Sequence, residues 1–418
     1  MTEHILLRHR EIPGLDQLET YRKHGGYDTF KRVVTSMEPQ AVVDLVRASG
    51  LRGRGGAGFP TGVKWGFLTR DVFPHYVVAN ADESEPGTFK DREILESNPY
   101  QFLEGLAICS FAAKANVAYV YCRGEFWDLA HVLEDKIEQL YQEGLLGEDV
   151  FGSGYDLDIY VHLGAGAYIC GEETALLESL EGKLGQPRLR PPFPAAEGLY
   201  ASPTVVNNVE TITNLPPILE KGVEWFRSHG TERSPGVKIF SLSGNVNRPG
   251  NYELPLGTTF RELIYEHGGG IPEGRSIKAI MPAGASSAIL PATDEVLDTP
   301  MDYESVAAID SQLGSASVIV VDDSVNMRWL VSKTVHFFRH ESCGKCTPCR
   351  EGTYWMDHIA ARLAADQAYP DDAKLLLDVA HGMQGKCLCA LGEFSVMAVI
   401  TAMKHFPEDF NVHDGDDR

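Results

Sequence analysis

Short β-branched runs alternate with segments of helical periodicity through the first 235 residues. Strands are predicted at 75–79, 118–122 and 157–163, and helices at 39–49, 100–113, 129–143 and 172–180. Because strands that alternate with helices form largely parallel sheets, residues 1–235 are predicted to be one α/β domain. A proline-rich, basic segment at 188–194 predicts a stiff loop, and residues 231–236 predict a linker.

The rest of the chain divides into a mixed part and a helical part. The signals in the mixed part are strand-like runs at 237–242 and 317–321, a turn at 247–250 and a helical segment at 259–267. They predict a small α+β module over residues 236–323. From 324 to 418 the periodicity is helical except around two cysteine-containing loops, which predicts a small helical bundle. The acidic residues Asp414–Asp417 predict a frayed end.

Length and charge set limits on fold and function. The chain has 418 residues, 43% of them hydrophobic, so two or three domains are expected. Its formal net charge of -22 repels phosphodiester backbones and argues against nucleic-acid binding. No apolar run has the length of a membrane span or an export signal. We therefore expect a cytoplasmic protein without direct membrane insertion, associated with a membrane only through partner subunits.

Three cysteines at C-x2-C-x2-C spacing carry the strongest chemical signal in the chain. Cys343, Cys346 and Cys349 lie on one short segment, and Cys389 follows later. Three thiolates on a tight loop with a distant fourth are typical of an iron–sulfur cluster, and this spacing favours electron transfer. Zinc is the main alternative, although structural zinc sites usually pair two separate Cys or Cys/His units. Inert or redox-active thiols are the remaining alternative.

Two glycine-rich loops in the α/β domain could approach an anion. The first contains Gly53, Gly55, Gly56 and Gly58, with Arg52, Arg54 and Lys64 as neighbouring cations. Glycines without a Cβ let backbone N–H groups contact a phosphate, and nearby cations strengthen such contacts. The second loop, at 164–171, lies between a predicted strand and a predicted helix, where a pyrophosphate would meet a helix N-terminus. The alternative for either loop alone is a mobile surface loop.

Acidic and aromatic side chains lie close to these loops in the sequence. The segment 80–87 follows a predicted strand, and carboxylates at the carboxyl end of a strand can accept bonds from ribose hydroxyls and repel a 2′-phosphate. Glu172 and Glu173 could act in the same way, or could simply complement a helix N-terminus. Phe59, Phe67 and Phe193 could sandwich a flat ring, although most phenylalanines belong to a core.

Five long motifs resemble one known family. They are Arg52–Trp65, Asn80–Asp91, Gly171–Ser179, Val205–Thr211 and Glu341–Gly352. Together they resemble the NADH-binding flavoprotein subunit of respiratory complex I, the NADH:quinone oxidoreductase, over nearly the whole chain. The resemblance implies a Rossmann-like domain that holds FMN and NADH, a β-grasp module and a helical bundle with one [4Fe-4S] cluster.

The resemblance also implies the site residues. For FMN they are Gly53, Arg54, Gly55, Gly56, Lys64, Asn80, Asp82, Glu83, Asn207, Asn208 and Thr211. For NADH they are Phe59, Phe67, Glu85, Glu172, Glu173, Arg190 and Phe193. The implied cluster ligands are Cys343, Cys346, Cys349 and Cys389, because the family's fourth cysteine precedes Ala-Leu-Gly. No general acid or base is implied, since the cofactors carry the redox chemistry.

Two positions depart from the family pattern. Cys387 lies two residues before the implied ligand Cys389, where the family commonly has another residue, so Cys387 is either a decoy or a backup ligand. Arg190 replaces a common lysine, and its guanidinium would meet a phosphate as a planar fork. Cys109, Cys122 and Cys170 are predicted to be small buried apolar residues.

The resemblance implies partners for the electrons that leave the cluster. It implies a thioredoxin-like [2Fe-2S] subunit and a large iron–sulfur subunit of the peripheral arm, which would hold the chain peripheral to the inner membrane. One alternative is the diaphorase subunit of an NAD-reducing hydrogenase or NAD-dependent formate dehydrogenase. Those chains often carry extra ferredoxin-like or thioredoxin-like extensions, which this sequence lacks. A zinc-stabilised binding module without enzyme activity is a more distant alternative.

Overall fold

The computed structural model describes residues 4–410, which divide into two units. The first unit contains residues 4–84, 89–240 and 253–258, and the second contains 85–88, 241–252 and 259–410. The acidic segment Asp414–Asp417 lies outside the described residues. Among residues 4–410, no helix combines the length and the apolar character that a membrane span requires.

Four parallel strands form the sheet of the first unit. They are β1 (Tyr76–Ala81), β2 (Val117–Cys122), β3 (Asp158–Leu163) and β4 (Thr204–Asn208), in the spatial order β3-β2-β1-β4. The sequence predicts the first three strands to within two residues and misses β4. The prediction of a largely parallel α/β sheet is confirmed, and the carboxyl ends of β1 and β4 lie side by side because Asn80 pairs with Asn208.

Helices connect these strands and cover the sheet. They are α1 (Leu18–Lys23), α2 (Asp28–Ser36), α3 (Pro39–Ser49), α4 (Thr61–Gly66), α5 (Lys90–Ser97), α6 (Pro99–Ala112), α7 (Trp127–Gln142), α8 (Glu173–Leu180), α9 (Val209–Thr213), α10 (Leu215–Lys221) and α11 (Val223–Arg227). Helix α3 has the predicted bounds because Pro39 suits the first helical position and Gly50, at φ +70°, ends the helix. Its Val42, Val43 and Val46 form the buried face.

The predicted linker is instead a tight, partly buried turn. The Thr231 N–H donates to the Ser234 carbonyl at 3.0 Å, and Gly230 pairs with Pro235 as an antiparallel bridge. Ser234 is buried, and Pro235 accepts a bond from a buried side chain of the same unit. Serine, proline and glycine are typical of tight turns as well as of linkers, and the sequence pattern does not separate the two.

A five-stranded sheet and a helical part lie mostly in the second unit, while residues 237–240 and 253–255 of the sheet belong to the first. The strands are β5 (Val237–Gly244), β6 (Gly250–Pro255), β7 (Ile277–Ala285), β8 (Leu290–Pro291) and β9 (Ser317–Asp322), in the order β6-β5-β9-β7-β8. The helices are α12 (Asp294–Leu297), α13 (Tyr303–Ala308), α14 (Met327–Glu341), α15 (Thr347–Ala364), α16 (Asp372–Met383) and α17 (Ala390–His405), besides a π-helix at Glu262–His267. The predicted module of strands and helix and the predicted helical bundle are both present.

Candidate functional site

The first glycine-rich loop folds back on itself between α3 and α4. The Gly53 N–H donates to the Phe59 carbonyl at 2.9 Å, and the Arg52 Nε donates to the Gly58 carbonyl at 2.6 Å. Gly55 has a steric reason to lack a side chain, because a Cβ there would lie 2.8 Å from the Asn208 Cβ. The loop thus approaches the end of β4 as closely as backbone allows, which fits the predicted cradle.

Arg54 points into the protein. Its side chain is fully buried, and Nη2 donates to the Pro235 carbonyl at 2.8 Å. Its Nε and Nη1 have no hydrogen-bond partner within residues 4–410. Since buried donors are almost always satisfied, these two are open to a further partner. The backbone N–H of Arg54 donates to the Thr211 hydroxyl at 2.8 Å, which brings two predicted FMN residues together.

Four predicted FMN residues lie at the carboxyl ends of β1 and β4. Asn80 donates to the Gly171 carbonyl at 2.9 Å and accepts the Asp82 N–H at 3.0 Å, which ties β1 to the second glycine-rich loop. Asn207 accepts the Trp65 indole N–H at 2.8 Å. Asn208 is the N-terminal cap of α9. Parallel α/β sheets bind ligands at the carboxyl ends of their strands, and these four residues lie there.

Glu83 is buried and binds the start of helix α5. Its two carboxylate oxygens accept the Asp91 N–H at 2.8 Å and the Arg92 N–H at 3.0 Å. Burial, reinforced by Asp91, raises the pKa of Glu83 to about 7 despite these bonds and the nearby Lys90. The carboxylate therefore fixes the loop after β1 to the start of α5.

The predicted NADH residues of the first unit divide by task. Glu172 caps helix α8 by accepting the Thr174 and Ala175 N–H groups, both at 2.9 Å. Glu173 instead accepts a bond from the Lys64 ammonium at 2.8 Å, and Arg190 lies 3.4 Å from its other oxygen. The helix-terminus interpretation therefore describes Glu172, while Glu173 is held by cations.

The three candidate phenylalanines are exposed and do not belong to the core. Phe59, Phe67 and Phe193 have 48%, 62% and 56% of their surface accessible, and the rings of Phe59 and Phe67 are 6.2 Å apart and tilted. Exposed rings are available to a flat ligand. Glu85 belongs to the second unit, where it accepts bonds from the Ser286 N–H at 2.8 Å and from the Ser286 hydroxyl.

Three of the four predicted cluster ligands lie at the starts of two helices, and Cys343 lies in the loop before α15. Cys346 and Cys389 are the N-terminal cap residues of α15 and α17, and Cys349 lies in the first turn of α15. The Leu388 N–H points to the Cys346 sulfur at 3.5 Å, so the two cysteine loops meet. Helix N-termini stabilise negative charge, which suits thiolates on an anionic cluster. The donor set therefore fits the predicted cluster.

The cysteines of the two loops lie next to one another, since Cys346 is beside both Cys349 and Cys387. Among the residues that the structure describes, no three Cys, His, Asp or Glu side chains are gathered as ligands of a single ion. Cys387 packs its sulfur into the space that a Cβ on Gly392 would occupy. Cys109, Cys122 and Cys170 are buried, as predicted, and burial raises the pKa of Cys122 to about 12.

Three family models match the chain. A Nuo51 FMN-binding domain matches residues 46–217, an SLBB domain matches 239–284 and an NADH-ubiquinone oxidoreductase-F iron-sulfur binding region matches 329–413. One of the NADH-quinone oxidoreductase F subunits of Rhizobium meliloti, numbered 2, is 49% identical over 99% of this chain and 98% of its own length. The chain belongs to the family of NADH-quinone oxidoreductase F subunits. The resemblance found in the sequence is thereby confirmed.

Other members of this family agree. The NADH-quinone oxidoreductase F subunit of Mycobacterium tuberculosis is 48% identical over 98% of this chain and 93% of its own length. These relatives are named as subunits, so family members are parts of multi-subunit complexes. The FMN-binding and iron–sulfur matches confirm the predicted cofactors, which are FMN, NADH and one [4Fe-4S] cluster.

Solved structures of another enzyme share the fold. The crystal structure of an NAD+-reducing [NiFe]-hydrogenase in the H2-reduced state has a TM-score of 0.85 and 36% identity over 93% of this chain. An NAD+-reducing [NiFe]-hydrogenase in the air-oxidised state has a TM-score of 0.81 and 37% identity over 91%. This chain spans 65% and 64% of those hydrogenase chains. The likeness confirms the predicted fold class.

Proposed function

We propose that this chain is the NADH-oxidising subunit of an NADH:quinone oxidoreductase. It would accept a hydride from NADH through FMN and pass electrons to a [4Fe-4S] cluster and then to partner subunits. The observation that carries the proposal is the glycine loop closing on Asn208 at the strand ends, in a chain that also presents a C-x2-C-x2-C cluster loop.

The side chains of the site bind and orient, and the cofactors supply the redox chemistry. Bound FMN accepts a hydride and releases single electrons. We propose that FMN is held by Gly53, Arg54, Gly55, Gly56, Lys64, Asn80, Asp82, Glu83, Asn207, Asn208 and Thr211. We propose that NADH is contacted by Phe59, Phe67, Glu85, Glu172, Glu173, Arg190 and Phe193. Cys343, Cys346, Cys349 and Cys389 would ligate the cluster.

The proposed functions are assigned to three domains. We propose an FMN- and NADH-binding domain at 1–235, a β-grasp domain at 236–323 and a cluster-bearing bundle at 324–418. The three family matches support this division, because each falls within one of the proposed domains. Electrons would then travel from the first domain to the third.

We propose a thioredoxin-like [2Fe-2S] subunit and a large iron–sulfur subunit as the electron-accepting partners, which would hold the chain peripheral to the inner membrane. The hydrogenase likeness favours a second candidate, the diaphorase subunit of an NAD-reducing hydrogenase. Affinity purification of the tagged full chain from its own cells separates the two. Co-purifying complex I subunits would support the first proposal, and a co-purifying hydrogenase large subunit would contradict it.

A further inference from the structure

Six charged side chains form a buried charge network in the first unit. It consists of Arg54, Glu83, Lys90, Asp91, Glu210 and Lys238, each at most 6% exposed. The Lys90 ammonium lies 2.8 Å from Asp91 and 2.9 Å from Glu210, and Lys238 lies 3.2 Å from the same Glu210 oxygen. Burying ions is costly even when they are paired. We therefore expect a network of this size to do more than stabilise the fold.

The network holds the backbone of the glycine loop from the inside. Lys238 Nζ donates to the Arg54 carbonyl at 2.8 Å. The carbonyl of a trans peptide and the N–H that follows it point in opposite directions. The N–H of Gly55 is therefore directed away from buried Lys238, and Gly55 itself is exposed. An N–H that is held in one direction at an exposed glycine is a preorganised donor for an electronegative ligand atom.

The same network also fixes the neighbouring strand ends. Asn208, which packs against Gly55, donates to Asp91 at 2.6 Å and accepts from Lys90 at 3.4 Å. Glu210 accepts the Ile239 N–H at 2.9 Å, which ties α9 to β5. One connected set of buried charges thus sets the positions of the glycine loop and of β4 together.

Glu210 is the shared partner on which both lysines depend. Burial lowers the pKa of Lys238 to about 7, and Lys90 and Arg54 lower it as well, against the attraction of Glu210. Burial also disfavours the charge on Lys90, but Asp91, Glu210 and Glu83 together hold its pKa above the ordinary value. Removing Glu210 alone would leave both lysines near Arg54 without the carboxylate that they share.

We propose that Lys90, Glu210 and Lys238 are positioning residues for FMN, which orient the Arg54–Gly55 peptide and Asn208 toward the flavin nucleotide. The proposal rests on the proposed function, because it needs FMN in the first unit. The three residues act through the loop backbone and through Asn208, so they lie outside the set predicted to contact FMN.

The test is FMN binding by the full chain. Flavin-depleted wild type, Lys238→Met and the double variant Glu210→Gln/Lys238→Met are titrated with FMN, and quenching of FMN fluorescence gives Kd. The unfolding temperature of each apo chain is measured in parallel. The double variant removes one charge of each sign. It should therefore unfold at a higher temperature than a chain that carries Glu210→Gln alone, in which a buried lysine would lack its partner. The expected Kd rises on the order of tenfold or more in both Lys238 variants.

The control is Lys278→Met, which breaks an ion pair of 2.7 Å with Asp409 in the second unit. It should lower the unfolding temperature and leave Kd unchanged. A folded Lys238 variant that binds FMN as tightly as wild type overturns the inference. If Lys238→Met does not fold, the Kd of the double variant is used for the same comparison. A wild-type chain that binds no FMN overturns the proposed function itself, and the inference with it.

Discussion

Neighbouring glutamates can have different tasks, as Glu172 and Glu173 show. The Glu172 oxygen that caps α8 is occupied by three donors from Thr174 and Ala175. Glu173 is oriented by Lys64 at 2.8 Å, and it keeps a partly exposed carboxylate. A carboxylate held there can accept bonds from ribose hydroxyls and repels a 2′-phosphate.

Changing Glu173→Gln should therefore relax the preference for NADH over NADPH. The amide keeps the shape but loses the negative charge, so the ratio of kcat/KM for NADPH to that for NADH should rise on the order of tenfold. Steady-state ferricyanide reduction measures both values. Glu178→Gln, on the same helix and paired with Arg188, is the control with an expected unchanged ratio. An unchanged ratio for Glu173→Gln would refute the role.

Lys238 makes a prediction about pH. Burial lowers the pKa of Lys238 to about 7 in the folded chain, below the 10.5 of an ordinary lysine. Between these values the unfolded state binds more protons, so the free energy of unfolding should rise with pH, by up to about 1.4 kcal/mol per unit. Urea titrations at pH 7, 8 and 9 should show a steeper rise in wild type than in Lys238→Met. Parallel curves would show that the folded lysine stays charged throughout this range.

At the scale of elements, the two cysteine loops are defined by the helices that follow them. Cys346 and Cys389 begin α15 and α17, while Cys387 lies where the loop packs on Gly392. The Cys387 sulfur donates to the Met383 carbonyl at 3.7 Å, back toward α16. Cys387 also lies beside Cys346 and Cys349, a place that either a decoy or a backup ligand would occupy.

Replacing Cys389→Ser should abolish the cluster, and Cys387→Ser should retain it. A serine hydroxyl is a poor substitute for a thiolate on iron, whereas a packing position tolerates the small change. Iron and acid-labile sulfide per chain, with EPR of the reduced protein, measure both variants. Loss of the signal in Cys387→Ser alone would reverse the assignment.

The sequence predicts periodic elements better than it predicts contacts across the fold. Helix α3 and strands β1 to β3 follow from local patterns, since each has a clear apolar face or run. Strand β4 ends in two asparagines and is short, so its alternation is too weak to detect. The buried position of Arg54 is equally hidden, because its partners Thr211 and Pro235 are distant in sequence.

At the scale of the whole molecule, the family motifs carried information that local patterns lack. Composition alone allows any acidic multidomain protein, and C-x2-C-x2-C alone leaves zinc open. The matches to FMN-binding, SLBB and iron–sulfur models span residues 46–217, 239–284 and 329–413 of one chain. A two-electron donor site and a one-electron cluster in one polypeptide define an electron-splitting subunit.

Anaerobic NADH titration of the purified full chain tests this claim most directly. We expect a yellow protein with FMN and four irons per chain. NADH should bleach the flavin absorbance and, under reducing conditions, an EPR signal typical of a reduced [4Fe-4S] cluster should appear. A chain that stays colourless and free of iron after anaerobic reconstitution with FMN, iron and sulfide, and shows neither change with NADH, would contradict it.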